Sequence, residues 1–314
     1  MELRYFVFYL IYSLLLVFSF LFLILFFNAT ITFKQKDRIP TIYIYAMILC
    51  NFGVLFVEFF SDVFPVFLTV KAYDRFNAAT GEWLTLLDSF TYSYPMFLTI
   101  LMITERIYVM LYPVGRIFSN RKLKLYCLLL SIVPLTIILI PFLSNCALNY
   151  DFYLLDYVTA CEPDIHIMTY LFETYSGLIP FFCMVLNILL IGHLYLKKRK
   201  FQSQLDKVSR SQRRHDRALL FQSVATTTFL SVYEITEHIT DIFIDEYTSL
   251  SDFSRRIIYY SRTGSVALTC FLIYFVGTPA IRRIIIDKAL RLMNRRPKAR
   301  TIMVMGSRDT SAVF

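Results

Sequence analysis

The chain has 314 residues, of which 57% are hydrophobic, 17% aromatic and 18% charged, with a formal net charge of +9. A soluble domain of this size carries about 25% charged residues, and a chain this apolar is far from the composition of disorder. Eight glycines and six cysteines exclude a collagen-like repeat and a disulfide scaffold, which leaves a polytopic membrane protein.

Seven stretches of sixteen residues or more lack Asp, Glu, Lys and Arg: Tyr5–Phe33, Ile39–Val57, Ser89–Thr104, Leu125–Tyr150, Thr174–Leu196, Ala218–Tyr233 and Thr263–Ile281. A bilayer core of roughly 30 Å needs about 20 residues of helix, so the shorter stretches take a charge or two into their ends. Backbone groups in lipid must be satisfied within the segment, which makes these helices. The alternating ten-residue segments of a β-barrel are absent.

In chain order the predicted spans are 5–28, 39–62, 83–111, 123–145, 168–197, 215–243 and 256–281. The first has an apolar run longer than the roughly 7–15 residues of a signal peptide, and no small-residue cleavage site follows. The second carries Asn51 and Glu58. The third begins at the single Trp, Trp83, and ends at Glu105-Arg106. Pro180 lies inside the fifth and predicts a kink. In the sixth, Glu234, Glu237 and Asp241 share one face, with His238 beside it.

An amphipathic eighth helix is predicted over 282–295. Ile284, Ile285, Ala289, Leu292 and Met293 can share a face opposite Arg282, Arg283, Lys288 and Arg291, as in a helix lying on a membrane surface. Arg295-Arg296-Pro297 ends it, so the membrane domain is 1–297 and 298–314 is a disordered tail. The fold class is all-α: a seven-helix transmembrane bundle plus a short amphipathic helix. No internal repeat supports an inverted-repeat transporter.

Charge placement sets the orientation. With the N-terminus outside, the inner segments hold 26 of the 32 Lys and Arg. They comprise Lys34, Lys36 and Arg38; five from Arg106 to Lys124; nine from Lys197 to Arg217; and nine from Arg282 to Arg308. Acids fall on the outer side, as at Asp151, Asp156, Glu162 and Asp164. The positive charge is thus a cytoplasmic-face property that suits anionic lipid and a docking partner rather than nucleic acid. The sequon Asn28-Ala29-Thr30 falls on the inner side, where it escapes glycosylation.

The third span ends Thr104-Glu105-Arg106-Ile107-Tyr108, and Pro113 follows Arg106 by seven residues. This resembles the rhodopsin-like G-protein-coupled receptors, whose third helix ends in an acid–Arg–aromatic triplet. Here Ile107 replaces the aromatic residue. The seventh span closes on Thr278-Pro279-Ala280-Ile281-Arg282 where that family has Asn-Pro-x-x-Tyr. The sixth span lacks the Trp-x-Pro, the fourth lacks a Trp, and no acid is placed for the family's sodium site. The short N-terminus, the Glu-Arg pair, the Phe- and Tyr-rich body and the degenerate late motifs are similar to the nematode serpentine chemoreceptors, over residues 5–295.

The resemblance implies a plasma-membrane receptor of a sensory neuron, N-terminus outside and C-terminus inside, coupling a small-molecule ligand to a heterotrimeric G-protein. It carries no enzymatic activity, cofactor or metal into the expectation. It makes Glu105, Arg106, Pro113 and Pro279 the activation-switch residues, with Glu105 a candidate partner of Arg106. Asp88, eighteen residues before Arg106, matches the acid that pairs with a ligand ammonium in amine-binding members. Ionisable groups inside a membrane are functional candidates by default, which adds Tyr92, Tyr233, Glu234, Glu237 and Arg262 as candidate pocket residues. Internal pairing of Arg262 with Asp88, Glu234 or Glu237 is the plainer alternative. The family's link from the third helix to the second outer loop lacks its first Cys near Gly81; Cys146 and Cys161 either form a substitute bond or stay as free thiols. Rival functions are a ligand-gated channel of inverted topology, against the charge distribution, and a transporter, against the lack of repeats.

Overall fold

The Leu-, Phe- and Tyr-rich N-terminal run winds into α1 (Leu3–Thr32). In the structure, a computed structural model, residues 3–32, 41–112, 117–161, 165–200 and 210–293 are described. Next come α2 (Thr41–Glu58), which runs on through a π-helical turn (Phe59–Val63) and a 3-10 turn (Phe64–Phe67), and α3 (Val70–Leu111). Then α4 (Asn120–Leu143) leads into a hairpin of β1 (Leu148–Asp151) and β2 (Asp156–Thr159). The fifth span is two helices, α5 (Ile167–Tyr175) and α6 (Leu178–Lys200). The sixth is α7 (Arg210–Ile242), followed by the short α8 (Ile244–Ser249). The seventh is α9 (Asp252–Ala267) with a π-helical continuation (Phe271–Val276), and α10 (Pro279–Met293) comes last.

Among the described residues five helices are long and apolar enough to cross a membrane, those of the first five spans. The sixth and seventh carry Glu234, Glu237, Arg255, Arg256 and Arg262, which lowers their hydropathy. Their lengths still suffice: at about 1.5 Å per residue α7 alone reaches roughly 50 Å. The chain is an all-α polytopic membrane protein.

The middle of the bundle is α3, packed against α2, α4, α6, α7 and the hairpin. On the other side α1 lies against α2, α9 and α10. Its inward stripe is buried (Tyr12, Leu16, Leu23, Phe26), while Phe6, Leu10, Leu14, Phe18 and Leu21 are exposed. An apolar face on a membrane helix costs nothing, since lipid chains are as apolar as Leu.

Four elements differ from the sequence expectation, each for a local reason. The third helix begins at Val70 rather than 83, because Lys71, Asp74, Arg75 and Asn77 are polar turns standing beyond the apolar stretch. The fifth span breaks at Ser176-Gly177. Pro180 has no N–H for the Ser176 carbonyl and its ring crowds that oxygen, which instead accepts from Ile179 N at 3.0 Å. The seventh span is interrupted after Ala267, and Pro279 opens α10 rather than closing the seventh span, a position where proline fits. Its neighbour Thr278 donates to the Ile273 carbonyl at 3.0 Å. The hairpin adds a small sheet the sequence did not signal. The first three-residue basic group, the 201–209 loop and the tail from 294 lie outside the described residues.

Asn51 repairs the interrupted seventh span. Its amide donates to the carbonyls of Val266 and Ala267 at 3.2 and 3.3 Å and accepts from Cys270 N at 3.1 Å. Irregular backbone survives at membrane depth only where protein satisfies it, and here one amide from α2 does so.

Candidate functional site

The hairpin caps one end of the bundle. Its register pairs Tyr150 with Tyr157 and Asp151 with Asp156. Asp151 accepts from the N–H groups of Tyr153 and Leu154 at 2.7 and 3.1 Å, and Leu155 turns the chain at a φ of 59°. Cys146 and Cys161 are joined just outside the strands, with Cα atoms 5.0 Å apart. The first strand and the start of its turn are held by α3. Thr85 accepts from Tyr150 N at 3.0 Å and Tyr73 accepts from Phe152 N at 2.8 Å. Arg256 of α9 stacks on Phe152, 5.1 Å from the ring centroid.

Beneath the hairpin is a cavity of about 450 Å³ between α2, α3, α4, α5, α7 and α9. That volume is within the range of small-molecule pockets. All six candidates from the sequence, Asp88, Tyr92, Tyr233, Glu234, Glu237 and Arg262, line it. Of the three acids weighed as partners of Arg262, Glu237 is the one that meets it, 3.9 Å away. Asp88 accepts from the hydroxyl of Tyr157 at 2.9 Å. Arg262 also lies over the Tyr233 ring at 5.4 Å. Glu234 accepts from Tyr92 at 2.5 Å and from Ser176 at 3.4 Å, so the break in the fifth span hands a hydroxyl to an acid of the sixth. Tyr92 and Tyr233 pack with ring centroids 4.9 Å apart.

Tyr157 sits in the hairpin, outside the spans. Burial, then the charge of Asp88, pushes its phenol well above the ordinary value. It therefore stays protonated, and so a donor to Asp88, throughout the physiological range. The same holds for Tyr150, raised by burial and by Asp62.

Of the five further acids that line the cavity, two are buried. Glu58 and Asp62, 5% and 2% exposed, come from the end of α2 and its π turn. Glu58 accepts from Tyr12 at 2.8 Å and Asp62 from Tyr150 at 3.0 Å. Asp62 and the tyrosines at 12, 150 and 157 escape a reading of the sequence. Glu58 and Asp62 are four residues apart at the end of an apolar run, which is a usable signal. The tyrosines carry none, because their places depend on the folded hairpin.

The second group of candidates lies at the other end of α3. Glu105 and Arg106 are half-buried there. Glu105 accepts from the hydroxyl of Tyr43 at 2.7 Å, and Tyr43 is fully buried. The acid of the triplet is thus tied to α2 by a tyrosine. Pro113 lies outside the described residues. Asp88 and Arg106 are separated by about 27 Å of helix, at 1.5 Å per residue. Among the described residues no group of three His, Cys, Asp or Glu gathers in a way that would hold a metal ion.

Membrane-length helices around a ligand-sized cavity, covered at one end by a tethered hairpin, define a multi-pass helical membrane protein. Residues 38–188 match the family model of the Caenorhabditis serpentine receptor-like proteins, class xa. Serpentine receptor class XA 10 of Caenorhabditis elegans is 27% identical over 271 residues, with 81% of each chain covered. The chain is thus similar to the nematode serpentine receptors of class xa.

Proposed function

We propose that this receptor takes an extracellular small molecule into the cavity under the hairpin and signals to a heterotrimeric G-protein at the opposite end. It does so from the plasma membrane of a sensory neuron, with the N-terminus outside. The observation that carries the reading is that one continuous helix, α3, presents Asp88 and Tyr92 to the cavity and Glu105 and Arg106 to the far end. A ligand that binds one arrangement of α3, α7 and α9 better than another shifts the population between them. Asp88, Tyr92, Tyr233, Glu234, Glu237 and Arg262 are the groups available to sense it. Glu105, Arg106 and Pro279, with Pro113, form the coupling end, and the basic segments of that face meet lipid head groups and the G-protein.

Replacing Arg106 by Ala tests the reading. In a receptor that reaches the cell surface, ligand-driven nucleotide exchange on the G-protein should fall at least about tenfold, with ligand binding kept. Unchanged exchange in the Arg106→Ala receptor would remove the coupling role.

A further inference from the structure

The cavity wall is strongly one-sided in charge. Among the described residues it holds eight carboxyl groups, including Glu58, Asp62, Asp88 and Glu234, against a single guanidinium, that of Arg262. Arg262 is already engaged by Glu237. Arg256 lies close by, but donates to Asp252, to Tyr9 and to the Phe152 carbonyl. The hydroxyls of Tyr12, Tyr150, Tyr157 and Tyr92 donate to Glu58, Asp62, Asp88 and Glu234. A phenol supplies a hydrogen bond and no compensating charge, so the wall is acid-rich and short of cations. An isolated carboxylate out of water is costly.

The acids are spread around the enclosed volume and do not converge on a point, and no metal-binding group of three is present among the described residues. A compact metal ion could meet only one or two of them. A larger organic cation could touch several and present its carbon skeleton to Tyr233, Tyr259 and Val266. Tyrosine faces attract ammonium groups as well. Glu58 and Asp62 are both buried and lie one helical turn apart on one segment, so they are the natural seat for a charged head.

We propose that the cavity binds a small organic cation, an amine or quaternary ammonium, with its charged head at the Glu58–Asp62 end and its apolar body along the tyrosine wall. This rests on reading the cavity as the receptor's ligand site, so binding and signalling are measured separately.

The experiment uses the purified full-length receptor in detergent and three probes of matched size: phenethylammonium, neutral 2-phenylethanol and anionic 3-phenylpropionate. Binding is read by thermal shift and by titration. The cation is expected to bind at least about tenfold more tightly than either partner. Glu58→Gln and Asp62→Asn should each erase most of that preference while leaving the weak binding of 2-phenylethanol unchanged, and Glu58→Asp should restore part of it. The unliganded melting temperature of each variant checks that it has folded. Equal binding of the neutral probe, preference for the anion, or no cation binding at millimolar concentration would overturn the proposal. If the cation binds selectively and nucleotide exchange does not respond, the cation site stands and the coupling reading falls. If exchange responds to the neutral or anionic probe instead, the reverse holds.

Discussion

Tyrosine hydroxyls, more than cations, meet the buried carboxylates of this bundle. At the cavity they reach Glu58, Asp62, Asp88 and Glu234, and at the far end Tyr43 reaches Glu105. The sequence offered Arg106 as the partner of Glu105, because the two are adjacent. A hydroxyl from a neighbouring helix binds this acid as well. Tyr43 therefore ties α2 to the far end of α3. A hydrogen bond to a charged group contributes about 1.5–3 kcal/mol. Tyr43→Phe should therefore raise basal, ligand-free nucleotide exchange by about tenfold, measured at matched surface expression; no rise would mean that the bond is equally strong in both signalling states. Residue identities at the cavity were partly legible from the sequence, since Asp88, Glu234, Glu237 and Arg262 are ionisable groups in apolar runs. The Glu237–Arg262 pair was among those weighed, but the tyrosine partner of Asp88 was not, because Tyr157 and Asp88 lie 69 residues apart and meet only when the hairpin folds back over α3.

Each element keeps its helical type but not always its continuity. Hydropathy locates helices well and interruptions poorly, since a π turn or a broken span is as apolar as a straight one. The seventh span shows this: nothing in Leu268-Thr269-Cys270 marks a break, yet Asn51 of α2 closes it from across the bundle. Asn51→Leu should remove all three of these bonds. The expected loss is about 2–4 kcal/mol, read as a fall of about 5–10 °C in the melting temperature of the purified receptor. An unchanged melting temperature would mean that the seventh span repairs itself. The hairpin is the other element at issue. Cys146 and Cys161 close a separation of 15 residues, which contributes about 3 kcal/mol in the chain-entropy account. Cys146→Ser should speed amide exchange across residues 147–159 while leaving α3 protected. Equal exchange rates would show that the bonds to Thr85 and Tyr73 suffice alone.

For the whole molecule, fold class was legible because lipid tolerates few architectures, and a run of apolar stretches separated by basic or acidic segments leaves almost one reading. The orientation rests on charge asymmetry alone. A C-terminal epitope should therefore stain only in permeabilised cells; staining of intact cells would reverse the orientation and take Arg106 away from any cytoplasmic partner. The cavity was legible in its chemistry but not in its shape, which depends on the hairpin, the break at Ser176-Gly177 and the unexpected acids at the end of α2. The phenol-lined wall also bears on how such receptors diverge. A tyrosine codon becomes a phenylalanine codon by a single base change, and the exchange removes one oxygen while keeping the ring. Each wall phenol is thus a one-nucleotide setting that alters which acid is capped while leaving the cavity's outline intact. Each such step re-tunes the wall at the cost of one hydrogen bond to a buried acid.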